Sequence, residues 1–401
     1  MNPNQIIERL RELQYLLFSV ARFNVVNGFG VRSFEAKLRY ATEAYTYIYK
    51  ANLVSDCLKY MYNQNDRKMA WDIKNININE LVSPTGVNLN KVDGYILDYK
   101  GKISYLADLL HSCQSDNKLM YEPAVFLLHQ LSFKRDGVVA KNSDIDTAVS
   151  VNADIAKTAT GPKSELLDEI FEPTYSLLDR RCVSFGDNID NNIEYFWNLS
   201  TREILAADLC GLSVVEYDYL PFEFYYDFIT QLWDETRHAC QYLRLAKKLL
   251  PQVYHSTTDS RLKEIIRVYL EKGTLPIPKE RNFYEAMQNA SLQERMILLN
   301  IRTEAPAVSR LTKKIESIFF KDYPDIQDSF QYDKNDEIRH GHLGAKWLKY
   351  LYPNVEDRRE AMESADTLRG FLMATALSMY TDEDYLSFIS NFKVNFEWDE
   401  S

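Results

Sequence analysis

The spelling Asp-Glu-x-Arg-His occurs twice in a chain with only six histidines, as Asp234–His238 in "DETRHACQ" and Asp336–His340 in "DEIRHGHLG". On a helix, Glu and His at i and i+3 share a face, so both can reach one ion. Glu235 with His238 and Glu337 with His340 have that spacing. The first pair lies on a stripe running Phe228, Gln231, Glu235, His238, Tyr242, Leu245, Leu249. The second lies on Phe330, Asp333, Glu337, His340, Gly344, Trp347, Leu351. Both pairs interrupt an apolar seam, and a carboxylate in a core needs a cation or proton. One Glu-x-x-His is more often a solvated pair; two copies on inward stripes favour metal.

A two-metal bundle site also takes one Glu from each of two further helices. Glu203 leads a stripe continuing through Ala207, Cys210, Val214 and Tyr217. Another stripe, Met287, Ala290, Glu294, Ile297, Ile301, Glu304, Val308, Leu311, offers two carboxylates. Glu203 precedes Glu235 by 32 residues and Glu304 precedes Glu337 by 33, whereas Glu294 precedes it by 43. Near-equal spacing selects Glu304 as ligand and leaves Glu294 as a neighbouring carboxylate outside the ligand set. Pro306 is expected to kink the helix beside the site. His342 is expected to flank the site or face solvent. His111, His129 and His255 read as structural or surface histidines, Cys210 and Cys240 as small core residues, and Tyr217 and Tyr242 as packing residues.

Positioning such a set requires long helices, and the chain can supply them. Its 401 residues include only 13 glycines and 12 prolines, with 46% apolar and 26% charged residues. Helical periodicity predicts helices over 191–219, 222–250 (stopped by Pro251), 282–320 (interrupted only by Pro306) and 326–351. Residues 1–65 read as two helices and 66–102 mostly as loop. Helices resume through "ISYLADLLHSC" and "EPAVFLLHQLSF", and the polar 136–163 reads as a loop or lid. The expected class is all-α, with a helical region and long loops over 1–190, a four-helix bundle over 191–353 and a helical tail over 354–401.

A net charge of -11 without a dense basic patch argues against nucleic acid or an anionic membrane surface as partner. The N-terminal residues lack a signal-peptide pattern, and no apolar run is long enough for a membrane span. Five dispersed cysteines without a CxxC pair suit reduced thiols, and hence a cytoplasmic location.

The order Glu…ExxH…Glu…ExxH on four long helices resembles the ferritin-like di-metal carboxylate superfamily. The repeated pentapeptide is similar to that of bacterial multicomponent di-iron monooxygenases. "EILAADL", "RMILLNIRTEA" and "DEIRHGHLG" are similar to DUF455-type ferritin-like bacterial proteins. The resemblance covers 191–351 well and the first 190 residues poorly. It implies one metal held by Glu203, Glu235 and His238 and another by Glu304, Glu337 and His340, with bridging glutamates. Asp234 and Asp336 would hydrogen-bond the ligating histidines, and Arg237 and Arg339 would pair with those aspartates. It further implies two Fe ions, leaving Mn or a mixed Mn/Fe pair open, with O2 as cosubstrate. The activity implied is that of an oxidase or monooxygenase on a small organic or carrier-bound substrate, with an external electron donor. A homodimer stays open. The alternative is an iron-binding ferroxidase-type protein without an organic substrate.

Overall fold

The computed structural model describes residues 3–29, 34–61, 82–83, 86–87, 189–217, 220–253, 255–272, 290–321 and 323–377. Among them the chain is all-α apart from one short antiparallel pairing. Helices α1 (Pro3–Phe29) and α2 (Phe34–Met61) come first, as the periodicity of 1–65 predicts. The pairing joins β1 (Val82–Ser83) to β2 (Gly86–Val87), with Val82 opposite Val87. Then follow α3 (Ile189–Glu216), α4 (Phe222–Val253) and α5 (Ser260–Lys272). Next, α6 (Leu292–Met296) runs through a π-helical segment, Ile297–Glu304, into α7 (Ala305–Ile315). A 3-10 turn (Ile318–Phe320), α8 (Pro324–Leu351) and α9 (Val355–Leu377) complete it. The helices expected through "ISYLADLLHSC" and "EPAVFLLHQLSF", and the loop expected at 136–163, fall outside the described residues.

Short connections make antiparallel neighbours of α3 and α4, and of α7 and α8, and each pair packs along its length. The α8 helix also lies against α4 and the π segment. Two apolar clusters tie these elements together. One holds Leu212, Phe228, Ile297 and Trp347; the other holds Phe196, Tyr242, Leu311 and Phe330. Each cluster therefore draws on all four stretches, and the Glu and His positions fall between the two along every one. Fully burying a Phe contributes about 1.5–3 kcal/mol, so these clusters supply much of the local stability on either side of those positions.

Helices α1 and α2 form a hairpin laid on α3 and α4. The Phe18 ring meets Tyr225 at 4.8 Å, and the Arg22 guanidinium donates to the Val215 carbonyl at 2.8 Å. A buried ion pair, Lys37 with Asp208, joins α2 to α3. No described helix is long and apolar enough to cross a membrane.

Three boundaries differ from expectation. Pro251 sits inside α4 rather than ending it; only Gln252 and Val253 follow it in the helix, so little helix lies beyond the bond its missing N–H forfeits. The third predicted helix, of which 282–289 lie outside the described residues, starts only after Ser291, whose hydroxyl accepts from the Glu294 N–H while the Glu294 carboxylate accepts from the Ser291 N–H at 2.7 Å. That capping box starts α6 at Leu292. The irregularity expected at Pro306 lies before it, as the π segment. There the Ala305 N–H donates to the Asn300 carbonyl, five residues back. Pro306 cannot donate to the Arg302 carbonyl, and its ring would crowd that group in a regular helix. The wider preceding turn relieves both, leaving Pro306 at the start of α7.

Candidate metal centre

Each Glu-x-x-His pair sits in the middle of a long helix, so its backbone is fixed by regular hydrogen bonding on both sides. Glu235, His238, Glu337, His340 and Glu304 are buried, and Glu203 is partly buried. The π segment meets α8 closely because Gly344 has no side chain. A Cβ there would lie 2.5 Å from Asn300 Cβ and 3.0 Å from Ile301 Cγ1.

The histidines are held from across the helix pair. His238 Nε2, on α4, lies 3.0 Å from Asp336 Oδ2 on α8, and His340 Nε2, on α8, lies 3.3 Å from Asp234 Oδ2 on α4. An aspartate accepts, so each Nε2 carries a proton, which leaves each Nδ1 as the nitrogen open to a metal ion or a second proton. Arg237 bonds both Asp234 and Asp336 (3.2 Å to the latter), and Arg339 pairs with Asp234. Two arginines thus offset two aspartates. Arg237 also lies 4.1 Å over the Trp233 ring, which stacks on Tyr45 of α2 at 4.1 Å and 5°. The N-terminal hairpin therefore buttresses this network.

The Nδ1 atoms point at carboxylates. His238 Nδ1 is 3.4 Å from Glu235 Oε2, 3.0 Å from Asp333 Oδ1 and 4.0 Å from Glu337 Oε1. His340 Nδ1 is 3.1 Å from Glu235 Oε1 and 3.4 Å from Glu337 Oε2. Glu235 and Glu337 therefore both span the gap between the two imidazoles. Ligand atoms about 2.1 Å from one ion stand about 3.0 Å apart at a right angle and about 3.4 Å at a tetrahedral angle. Buried Nδ1 of His238 and His340, Oε2 of Glu235 and Glu337, and Oδ1 of Asp333 make no hydrogen bond. Buried polar atoms are ordinarily satisfied, and a cluster of bare acceptors facing one another fits a cation. Ligand atoms of Glu203, Glu235, His238 and Glu337 all lie within 4.8 Å of one another, so this group can hold a metal ion.

Electrostatics point the same way. Burial, followed by the charge of Asp333 and Glu235, pushes the Glu203 carboxyl well above its usual range. Burial and the charges of Glu337 and Glu235 do the same to Glu304. Glu337 is pushed up to about 7 by burial and Glu235. Burial alone would raise Glu235 as well, but the imidazoles of His340 and His238 hold it below the normal range. Burial opposes charge on His340, yet Glu235 and Glu337 raise it well above the ordinary imidazole range. Without metal, protons stand in for the missing positive charge.

The structure brings Glu203, Glu235, His238, Glu304, Glu337 and His340 together, with Asp234, Asp336, Arg237 and Arg339 behind the histidines. Glu294 is placed elsewhere. Its carboxylate serves the cap of α6 and accepts from the Ser364 hydroxyl of α9 at 2.7 Å; the π segment between it and Glu304 breaks the three- and four-residue spacing that would align the two. His342 is exposed and outside the cluster. Tyr242 packs in the apolar cluster and also donates its hydroxyl to Asp333.

Sequence reading placed Asp333 and Gln231 on the right stripes without assigning them roles, and it passed over Asn300. Gln231 donates to Glu235 Oε1 at 2.9 Å and accepts from Asn300 Nδ2 at 2.6 Å; Asn300 also donates to the His340 carbonyl at 3.0 Å. The available signal was the position one turn before each Glu-x-x-His. Comparison with family models, curated proteins and solved structures returns no match.

Proposed function

We propose that the chain is a ferritin-like four-helix-bundle protein holding two metal ions in a carboxylate-bridged site that activates O2. The observation that carries this reading is the placement of Glu235 and Glu337, each within reach of both histidine Nδ1 atoms. One ion would be held by Glu203 and His238, the other by Glu304 and His340, with Glu235 and Glu337 shared. Two ferrous ions so held would supply electrons to O2 and yield an oxidant for C–H or N–H bonds. Imidazole and carboxylate donors accept Mn as well as Fe.

The protein's own groups have definite tasks in this reading. Asp234 and Asp336 keep the Nε2 protons in place, so the Nδ1 lone pairs stay aimed inward. Arg237 and Arg339 keep those aspartates from adding uncompensated charge. The apolar clusters on either side lower the polarity around the site, which strengthens charge interactions between them. Loading would displace protons from Glu203, Glu304, Glu337 and the imidazoles. We propose a small organic or carrier-bound substrate and an external electron donor. The partial exposure of Glu203 favours a second reading, iron uptake and ferroxidation without an organic substrate.

Anaerobic Fe(II) reconstitution followed by O2-consumption and absorption measurements tests the proposal. Two irons per chain and rapid O2 uptake support it; iron-loaded protein inert to O2 refutes it. Uptake that stops after iron oxidation and does not resume with a reductant favours ferroxidation.

A further inference from the structure

We infer that Asp333 is a ligand of the ion held by His238, which makes the two ion positions unequal and loads the His238 position first. This rests on the two-metal reading above. The two halves of the site invite comparison because each Glu-x-x-His is preceded, one turn earlier, by a polar residue on the same stripe. On α4 that residue is Gln231, a neutral amide hydrogen-bonded to Glu235 and Asn300. On α8 it is Asp333, buried, with Oδ1 making no hydrogen bond and lying 3.0 Å from the equally bare Nδ1 of His238.

A carboxylate oxygen and an imidazole lone pair repel at that distance unless a proton or cation lies between or beside them. The spacing is that of neighbouring ligand atoms on one ion, about 3.0 Å. The Tyr242 hydroxyl donates to the second oxygen of Asp333, which fixes the carboxylate and leaves Oδ1 for the ion. The His238 position thus has its own Asp333 and Glu203, while the His340 position has its own Glu304. An additional carboxylate on a divalent ion in a water-poor site strengthens its binding.

The test is a Mn(II) titration of the metal-free full-length chain, with unbound Mn(II) followed by electron paramagnetic resonance. The wild type should bind two ions in two steps, the first about ten-fold or more tighter than the second. Asp333→Asn should weaken the tight step about 10- to 100-fold, while His340→Ala should keep it. Two-step binding unchanged by Asp333→Asn overturns the Asp333 assignment and leaves the two-metal reading standing. A wild type that binds fewer than two ions overturns both. A crystal structure of Mn(II)-loaded wild type decides independently of how the variants fold. An anomalous peak within bonding distance of Asp333 Oδ1 supports the assignment, and a carboxylate bonded only to Tyr242 overturns it.

Discussion

His238 on α4 is held at 3.0 Å by Asp336 on α8, the residue that opens the other copy of the repeated pentapeptide. Asp234 returns the contact to His340 at 3.3 Å. The repeat is therefore reciprocal: each copy supplies a histidine and the aspartate that orients the other copy's histidine. Arg237 and Arg339 sit over the junction. The five-residue spelling is explained as one half of an interlocked pair.

Breaking one arm of this lock should weaken metal binding without removing a ligand. Asp336→Asn keeps the shape but loses the charge that fixes the His238 tautomer, so Mn(II) or Fe(II) affinity should fall about 10- to 100-fold. Equilibrium metal titration with far-ultraviolet circular dichroism as a folding control checks it.

The metal-free protein should lose stability as pH rises. Glu337 is raised from 4.5 to about 7, and the two imidazoles are raised well above 6.5. A folded-state pKa above the unfolded one contributes stability that is fully present below the unfolded value and lost as pH climbs through the folded value. Thermal melts of metal-free protein should therefore show a falling midpoint from about pH 5 to pH 8, beyond 4.5 for Glu337 and beyond 6.5 for the histidines. Metal-loaded protein should not show that fall, since the ions replace the protons.

Gly344→Ala should push α8 off the π segment, because the added carbon would meet Asn300 and Ile301. The expected loss is about 1–3 kcal/mol in urea unfolding, with weaker metal binding. Gly370→Ala, in α9 with nothing within 4 Å of its Cβ position, should instead gain up to about 1 kcal/mol.

The buried pair Lys37–Asp208 should behave asymmetrically. Lys37→Met alone strands the Asp208 charge and should cost about 3–5 kcal/mol, whereas adding Asp208→Leu should recover most of that loss. Chemical denaturation of the two variants checks the prediction.

Much of the site was legible because its side chains break otherwise apolar stripes, and a helix face is readable at three- and four-residue spacing. Glu203, Glu235, His238, Glu337 and His340 follow from that rule, and Glu304 from its spacing to Glu337 as well. Glu294 does not neighbour the site as its stripe suggests, because the π segment between it and Glu304 departs from the 3.6-residue period, and its carboxylate is taken by Ser291 and Ser364. The π segment escaped because an i−5 bond leaves no compositional mark beyond Pro306. The role of Asp333 depends on which side of α8 faces His238 within a bond length, a tertiary fact. The contribution of α1 and α2, made through Tyr45, Arg22 and Lys37, could not be read without knowing which helix they dock on.

The most direct test is the number of iron ions per chain after anaerobic reconstitution and removal of loosely bound metal, measured by elemental analysis. The account predicts two for the wild type, two for His342→Ala, and fewer than two for both His238→Ala and His340→Ala. Fewer than two in the wild type, or two retained when both His238 and His340 are replaced, would contradict it.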